Sequence, residues 1–281
     1  MQVLAGALTD LGLRRPANED SFVLRPDLGF YAVCDGMGGH TAGEVASRAA
    51  ADAIDSFIQH SDGVGEDFTW PFKYRQEWGV DGNRLVSALL LANREIHQRM
   101  LDDPALRGMA TTAVCLLIGT RDSGLGTRRD TPASRAPDPE PRAPEALPAL
   151  VAHVGDSRAY LWRDGDLDQI TRDHSWVEEQ IASGILSEDE ARQHPWRNLV
   201  TRALAGIDDP GVDLTPVSLE RGDRVLLCSD GLTAPLTNTA ITEILARTPP
   251  GQPGELCRAL IDAANDAGGP DNITVVVVEI M

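Results

Sequence analysis

The sequence predicts an α+β fold: two mostly antiparallel sheets packed face to face and flanked by helices. Three observations carry this expectation. Five short apolar or β-branched runs read as strands, three longer segments show the 3.6-residue period of amphipathic helices, and the two kinds do not alternate regularly. Strands cluster with helices paired between them, unlike the strict alternation of a parallel doubly wound sheet. Aromatics are only 5% of the chain, so the core must be built mainly from Val, Leu, Ile and Ala.

Taken in chain order, residues 29–34 (GFYAVC) form the first strand expectation and end at Asp35-Gly36. Two helices follow, one with Val45, Ala49, Ala53 and Phe57 on one face, the next with Leu85, Leu89, Ala92 and Ile96. Residues 113–118 and 150–154 are the next strands. Asp164-Gly165, between residues 157–162 and 167–170, is a hairpin signal that makes this part antiparallel. Helical patterns at 176–183 and 187–193 come before a strand at 225–228. A helix carrying Leu256, Leu260 and Ala263 and a last strand at 273–278 complete the series.

Residues 120–148 change to Pro, Ala, Arg, Asp and Glu, with prolines at 132, 137, 139, 141, 144 and 148. Such a composition builds no core, and a disordered loop at a hairpin tip is expected there, where insertion costs little closure entropy. The whole of 1–281 is otherwise expected to be one domain.

The formal charge of -18 disfavours nucleic acid and anionic lipid as partners. Cys34, Cys115, Cys228 and Cys257 have no metal-ligand spacing and read as buried thiols. Met1 to Thr9 lacks a basic start, and no apolar stretch approaches the roughly 18 residues of a membrane span, so cytoplasmic residence is the expectation.

Four acids sit at strand ends: Asp35, Asp156 and Asp230 after apolar runs, and Asp271 before the last strand. Singly, each Asp-Gly or Gly-Asp step reads as a plain turn. Together they describe carboxylates held by a rigid scaffold at one edge of a sandwich, an all-oxygen set that selects magnesium, manganese or calcium over zinc.

Six motifs in order then resemble the protein phosphatase 2C family of metal-dependent phosphatases, most closely its bacterial branch. They are Asp10-Leu11-Gly12 with Arg15 and Asn18-Glu19-Asp20; Asp35-Gly36-Met37-Gly38-Gly39-His40; Gly108-Met109-Ala110-Thr111-Thr112; His153-Val154-Gly155-Asp156-Ser157-Arg158; Ser229-Asp230-Gly231-Leu232; and Gly269-Pro270-Asp271-Asn272-Ile273-Thr274.

The resemblance implies a four-layer α-β-β-α sandwich with helix pairs outside. It also implies two magnesium or manganese ions, with Asp35 bridging them, the Gly36 carbonyl on one, Asp230 and Asp271 on the other, and Asp20 holding metal-bound waters. Bacterial relatives carry a third, weaker ion, and Asp156 matches its ligand. Arg15, by its spacing to Asn-Glu-Asp, is the residue that binds phosphate.

The implied reaction is hydrolysis of phosphoserine and phosphothreonine in proteins by in-line attack of a metal-bridging hydroxide, opposing bacterial Ser/Thr kinases. Animal members place a histidine directly after the Asp-Gly step. This chain has Met37 there and His40 further on, which leaves substrate contact and the general acid open between His40 and a metal-bound water. Residues 173–200 resemble the mobile flap of bacterial members. Two other readings stand beside this one. The first is a catalytically silent relative that binds phosphoproteins as a regulator, and the second is a calcium-stabilised sandwich whose acids are structural.

Overall fold

Strand Ile273–Ile280 (ITVVVVEI) is apolar on both faces, and the reason lies in its surroundings. A computed structural model describes residues 1–38, 42–119 and 146–281, and in it this strand sits at the interior of a sheet that is itself covered on both sides.

In chain order the strands are β1 Val3–Asp10, β2 Asp20–Arg25, β3 Phe30–Met37, β4 Ala110–Thr111, β5 Ala113–Ile118, β6 Leu147–Val154, β7 Arg158–Arg163, β8 Asp166–Gln169, β9 Asp213–Leu219, β10 Arg224–Cys228 and β11 Ile273–Ile280. One sheet runs β1-β11-β10-β7-β8; the other runs β2-β3-β5-β6-β9, with β4 beside β3. The strand pairs are antiparallel throughout the described residues.

The helices are α1 Ala42–His60, α2 Gly79–Asp102, α3 Trp176–Ala182, α4 Glu188–Gln193, α5 Asp230–Thr233, α6 Asn238–Arg247 and α7 Pro253–Asp266. The period-two alternation of β3 shows how the layers are assembled. Phe30, Ala32 and Cys34 point to the α1–α2 side, while Tyr31 and Val33 point into the space between the sheets. From the other sheet, Val225, Leu227, Val276 and Val278 meet them there. Leu226, Cys228, Val275 and Val277 face Leu256, Leu260, Ile241 and Leu245 of α6 and α7. Three apolar interfaces thus join four layers, α-β-β-α, as the resemblance implied. Each large aliphatic or aromatic side chain buried in them contributes roughly 1.5–3 kcal/mol.

The hairpin expected at Asp164-Gly165 is present, with Arg163 opposite Asp166 and positive φ at both turn residues, 53° and 99°. That combination belongs to a two-residue turn whose twist matches the flanking strands. Residues 120–145 of the expected loop lie outside the described residues. The end of that expectation needs correction: Leu147 and Pro148 belong to β6, opposite Leu219 and Ser218 of β9. Pro148 has no N–H to give the ladder, but its carbonyl accepts from Gly119 N at 2.8 Å. Among the described residues no helix is long and apolar enough to cross a membrane.

Candidate active site

Strand pairing places the first two acids. Asp20 opens β2 directly opposite Asp35 of β3, so their backbones face each other across one ladder. Asp230 and Asp271 come from the other sheet, at the end of β10 and just before β11. Asp156 lies in the turn between β6 and β7. The two sheets bring these acids to one end of the sandwich, where Asp35 feels the charges of Asp20, Asp230, Asp156 and Asp271.

Two glycines permit this approach. A side chain at Gly36 would collide with the carbonyls of Gly43 and Glu19, and one at Gly231 would collide with the carbonyl of Asn272. Gly36 also donates its N–H to Glu19 O at 3.1 Å.

Short polar side chains cross-link the strand ends. Ser229 Oγ donates to Asp20 Oδ2 at 2.8 Å and accepts from Thr274 N at 3.0 Å, tying one sheet to the other. Asn272 uses its whole amide: Oδ1 accepts from Glu19 N at 2.8 Å, and Nδ2 donates to Leu11 O at 2.9 Å and Ala17 O at 3.0 Å. This amide shapes the loop that carries Arg15. Thr111 Oγ1 and Thr112 N donate to Asp35 O at 2.8 and 2.9 Å. Thr112 Oγ1 lies 2.6 Å from Ser157 Oγ, beside Asp156. Ser229, Asn272, Thr111, Thr112 and Ser157 lie within the motifs, but the motifs by themselves assign them no role. Their partners are far away in the chain, and no local pattern announces them.

Crowding and burial govern the electrostatics. Burial pushes the Asp20 carboxyl up to about 7, against hydrogen bonds from Thr274 and Ser229 that pull it down. Burial and the neighbouring Asp230 raise Asp156 to about 7. Asp230 rises to about 6 by burial and the charge of Asp271, and Asp35 is raised by burial and then by Asp20. Asp20 Oδ1 is buried with no hydrogen-bond partner. A crowd of carboxylates, one with an orphaned oxygen, fits hard divalent cations, which favour oxygen donors and would stabilise the ionised form.

The cation that the chain itself brings is Arg15, whose Nη2 lies 2.6 Å from Asp271 Oδ2. This contact, and the charges of Glu19 and Asp230, hold the guanidinium above its ordinary value. Glu19 was not among the expected site residues, although it carries a carboxylate beside Arg15 that burial raises. Its place in the Asn-Glu-Asp motif was the available signal. His40 lies outside the described residues.

The start of the 173–200 segment is fastened to the same end. Arg158 holds Asp173 through Nε and Nη2, at 2.9 and 2.7 Å to its two carboxylate oxygens. His174 grips Gly155 twice: its N–H donates to Gly155 O at 2.9 Å, and its Nδ1 accepts from Gly155 N at 3.1 Å.

His153, His174 and Asp213 also bring ligating atoms within 4.8 Å of one another. The bond from Gly155 puts the His174 proton on Nε2, where it is donated to Asp213 Oδ2 at 3.1 Å. That proton occupies the position a metal would need, so the cluster is a hydrogen-bonded support beneath the segment.

Comparison with known proteins agrees with this geometry. Residues 11–180 match Protein phosphatase 2C, and residues 167–281 match Stage II sporulation protein E (SpoIIE). The serine/threonine protein phosphatase PstP of Mycobacterium tuberculosis is 36% identical over 276 residues, covering 98% of this chain and 44% of that protein. The chain therefore spans less than half the length of that relative. Protein phosphatase PhpP of Streptococcus pneumoniae is 34% identical, with 96% of this chain and 95% of PhpP covered. The solved catalytic domain of PstP in complex with two manganese ions superposes with a TM-score of 0.75 at 33% identity, covering 99% of this chain and 97% of that one. A six-motif series, a two-sheet sandwich with acids converging at one end, and near full-length similarity to PhpP lead to one assignment: this chain belongs to the protein phosphatase 2C family.

Proposed function

We propose that the chain is a protein-serine/threonine phosphatase that hydrolyses phosphoserine and phosphothreonine in proteins, using magnesium or manganese. The observation that carries this reading is the convergence of Asp20, Asp35, Asp230 and Asp271 beside the Arg15 guanidinium. Asp35, the Gly36 carbonyl, Asp230 and Asp271 are the residues assigned to hold two ions, Asp20 their waters, and Asp156 a third ion. When bound, the ions supply Lewis acidity: they acidify a water for attack on phosphorus and draw charge from the phosphoryl oxygens.

The rest falls to the chain's own side chains. Arg15 presents a planar fork at the mouth of the site and is assigned the phosphoryl oxygens, to which it offers two parallel hydrogen bonds. Asn272 fixes the loop from which Arg15 projects. A serine or threonine alkoxide leaves poorly without a proton, and on sequence alone His40 is assigned that proton and a contact with substrate. Residues 173–200 form a flap beside the site, pinned at its base by the Arg158–Asp173 pair. The whole of 1–281 acts as one catalytic domain in the cytoplasm, opposing Ser/Thr kinases in signal transduction.

The test is phosphate release from a phosphothreonine peptide with manganese, with chelator, and with Asp35→Ala. Release that needs manganese and Asp35 supports the reading. Activity indifferent to chelator overturns the two-ion assignment, and no release in any condition favours a silent phosphoprotein-binding relative.

A further inference from the structure

The chain holds five Phe, five Trp and three Tyr, and Phe68, Trp70, Phe72, Tyr74 and Trp78 all fall in the connection between α1 and α2. The end of this connection, the face of α2 bearing Leu90, Arg94 and His97, and the loop 206–212 enclose a cavity of about 600 Å³. That is the size of small-molecule sites, which run roughly 300–1,000 Å³ and are commonly apolar with a few placed polar groups.

The cavity is built in advance. Two buried asparagines of α2 hold its opposite walls. Asn83 Oδ1 accepts from Arg75 N at 2.9 Å while its Nδ2 donates to Arg75 O at 2.7 Å. Asn93 Oδ1 accepts from Ala205 N and Gly206 N at 3.1 and 2.8 Å, and its Nδ2 donates to Ile207 O at 2.6 Å. Gly206 takes a left-handed φ of 71°, and a Cβ there would stand 2.9 Å from His97 Cα. The loop therefore lies against α2 as closely as the backbone allows.

Two guanidiniums line this cavity, each held over an aromatic ring: Arg75 Cζ at 4.3 Å from the Trp78 centroid, and Arg94 Cζ at 4.1 Å from that of Phe72. Among the described residues neither has a carboxylate partner, in a chain of formal charge -18. A guanidinium attracted to a ring face need not spend its five N–H donors there, and they remain available to an acidic acceptor. Asp208 and Asp209 line the loop wall without pairing with either, and Asp209 Oδ1 accepts from its own loop's Gly211 N at 2.9 Å. These carboxylates oppose a polyanion and leave room for a single localised negative charge.

We propose that this cavity binds a small aromatic monoanion, a planar apolar body carrying one carboxylate or sulfonate, with Arg75 and Arg94 on the charge and Phe72, Trp78, Leu90 and Ile207 on the body. The site is separate from the acid cluster, and the inference does not depend on hydrolysis.

The probe is 8-anilino-1-naphthalenesulfonate, with neutral N-phenyl-1-naphthylamine as its uncharged counterpart. Binding to the full chain is followed by calorimetry and by energy transfer from tryptophan. Saturable one-to-one binding of the sulfonate is expected, weakened about tenfold by Arg75→Gln or Arg94→Gln, as for loss of one charge-assisted hydrogen bond. The neutral probe should bind more weakly and be indifferent to both changes, and manganese should displace neither. Equal sulfonate affinity in the Arg75→Gln/Arg94→Gln variant overturns the proposal. So does neutral-probe binding as tight as the sulfonate's on the unaltered protein, a comparison that holds whether or not the variants fold.

Discussion

Arg15 Nη2 stands 2.6 Å from Asp271 Oδ2, so the residue assigned to phosphate and one assigned to metal are each other's partner in this structure. The side chains are 49% and 29% exposed, and a pair this open contributes at most about 1 kcal/mol to stability. Arg15 is therefore free to exchange Asp271 for a phosphoryl group at small cost. Arg15→Ala should leave the thermal midpoint nearly unchanged and lower kcat/KM for a phosphothreonine peptide by about ten- to a hundredfold, the value of a lost charge-assisted contact. Arg15→Lys, which keeps the charge and loses the fork, should fall between. A variant with unaltered kcat/KM removes Arg15 from the site.

Much of this architecture was legible because β3, β5, β10 and β11 are apolar on both faces and so stand out as runs. β1, β2 and β9 were not read as strands. They are edge strands, β1 is half-buried along its length, and β9 carries Pro216. The acids were legible through ordered motifs. The hydrogen bond between Ser229 and Asp20, 209 residues apart, was not, since nothing local encodes it. The Arg15–Asp271 pair escaped for the same reason: only the folded sheets bring these two ends of the chain together.

Asn272 supports the opposite case, in which a residue acts through its neighbours. Its side chain makes three hydrogen bonds to the 11–19 loop, and removal strands at least one partly buried backbone group. Asn272→Ala should cost about 2–4 kcal/mol of stability, from bonds of roughly 1 kcal/mol each and one unsatisfied partner. Its loss of kcat/KM should also overlap with that of Arg15→Ala. In the double variant the two losses should fall short of their sum in free energy; full additivity would separate Asn272 from Arg15 positioning.

The Arg158–Asp173 pair is a two-pronged contact with side chains 27% and 12% exposed, at the point where the 173–200 segment begins. Asp173→Asn removes the charge and leaves Arg158 partly buried without compensation, which should cost about 1–3 kcal/mol. Hydrogen exchange should accelerate first in residues 174–182 while β10 and β11 stay protected. Uniform acceleration across the sheets would mean that the pair holds the fold rather than the 173–200 segment.

The last prediction concerns pH. Asp20 and Asp156 titrate near 7 and Asp230 near 6 in the folded chain, whereas unfolded aspartates titrate near about 4. Their folded values are raised, so the stability they contribute is fully present below the unfolded value and is lost as pH rises through 6 to 7. His153 and His174 act in the other sense. Burial lowers both, and the stability they contribute is recovered as pH rises to their ordinary value of 6.5. The two histidines still oppose the fall until about one unit above 6.5, but between about pH 6.5 and 8 the three raised carboxylates outweigh them, and the metal-free thermal midpoint should fall across that window. Manganese binds the ionised carboxylates and reverses the repulsion, so the midpoint increase at a fixed manganese concentration should be larger at pH 8 than at 6.5. Asp35→Asn should raise the metal-free midpoint at pH 8 above that of the unaltered chain and blunt the manganese response. A metal-free midpoint that climbs from pH 6.5 to 8, with a manganese increment independent of pH, would show that the acid cluster carries no such repulsion.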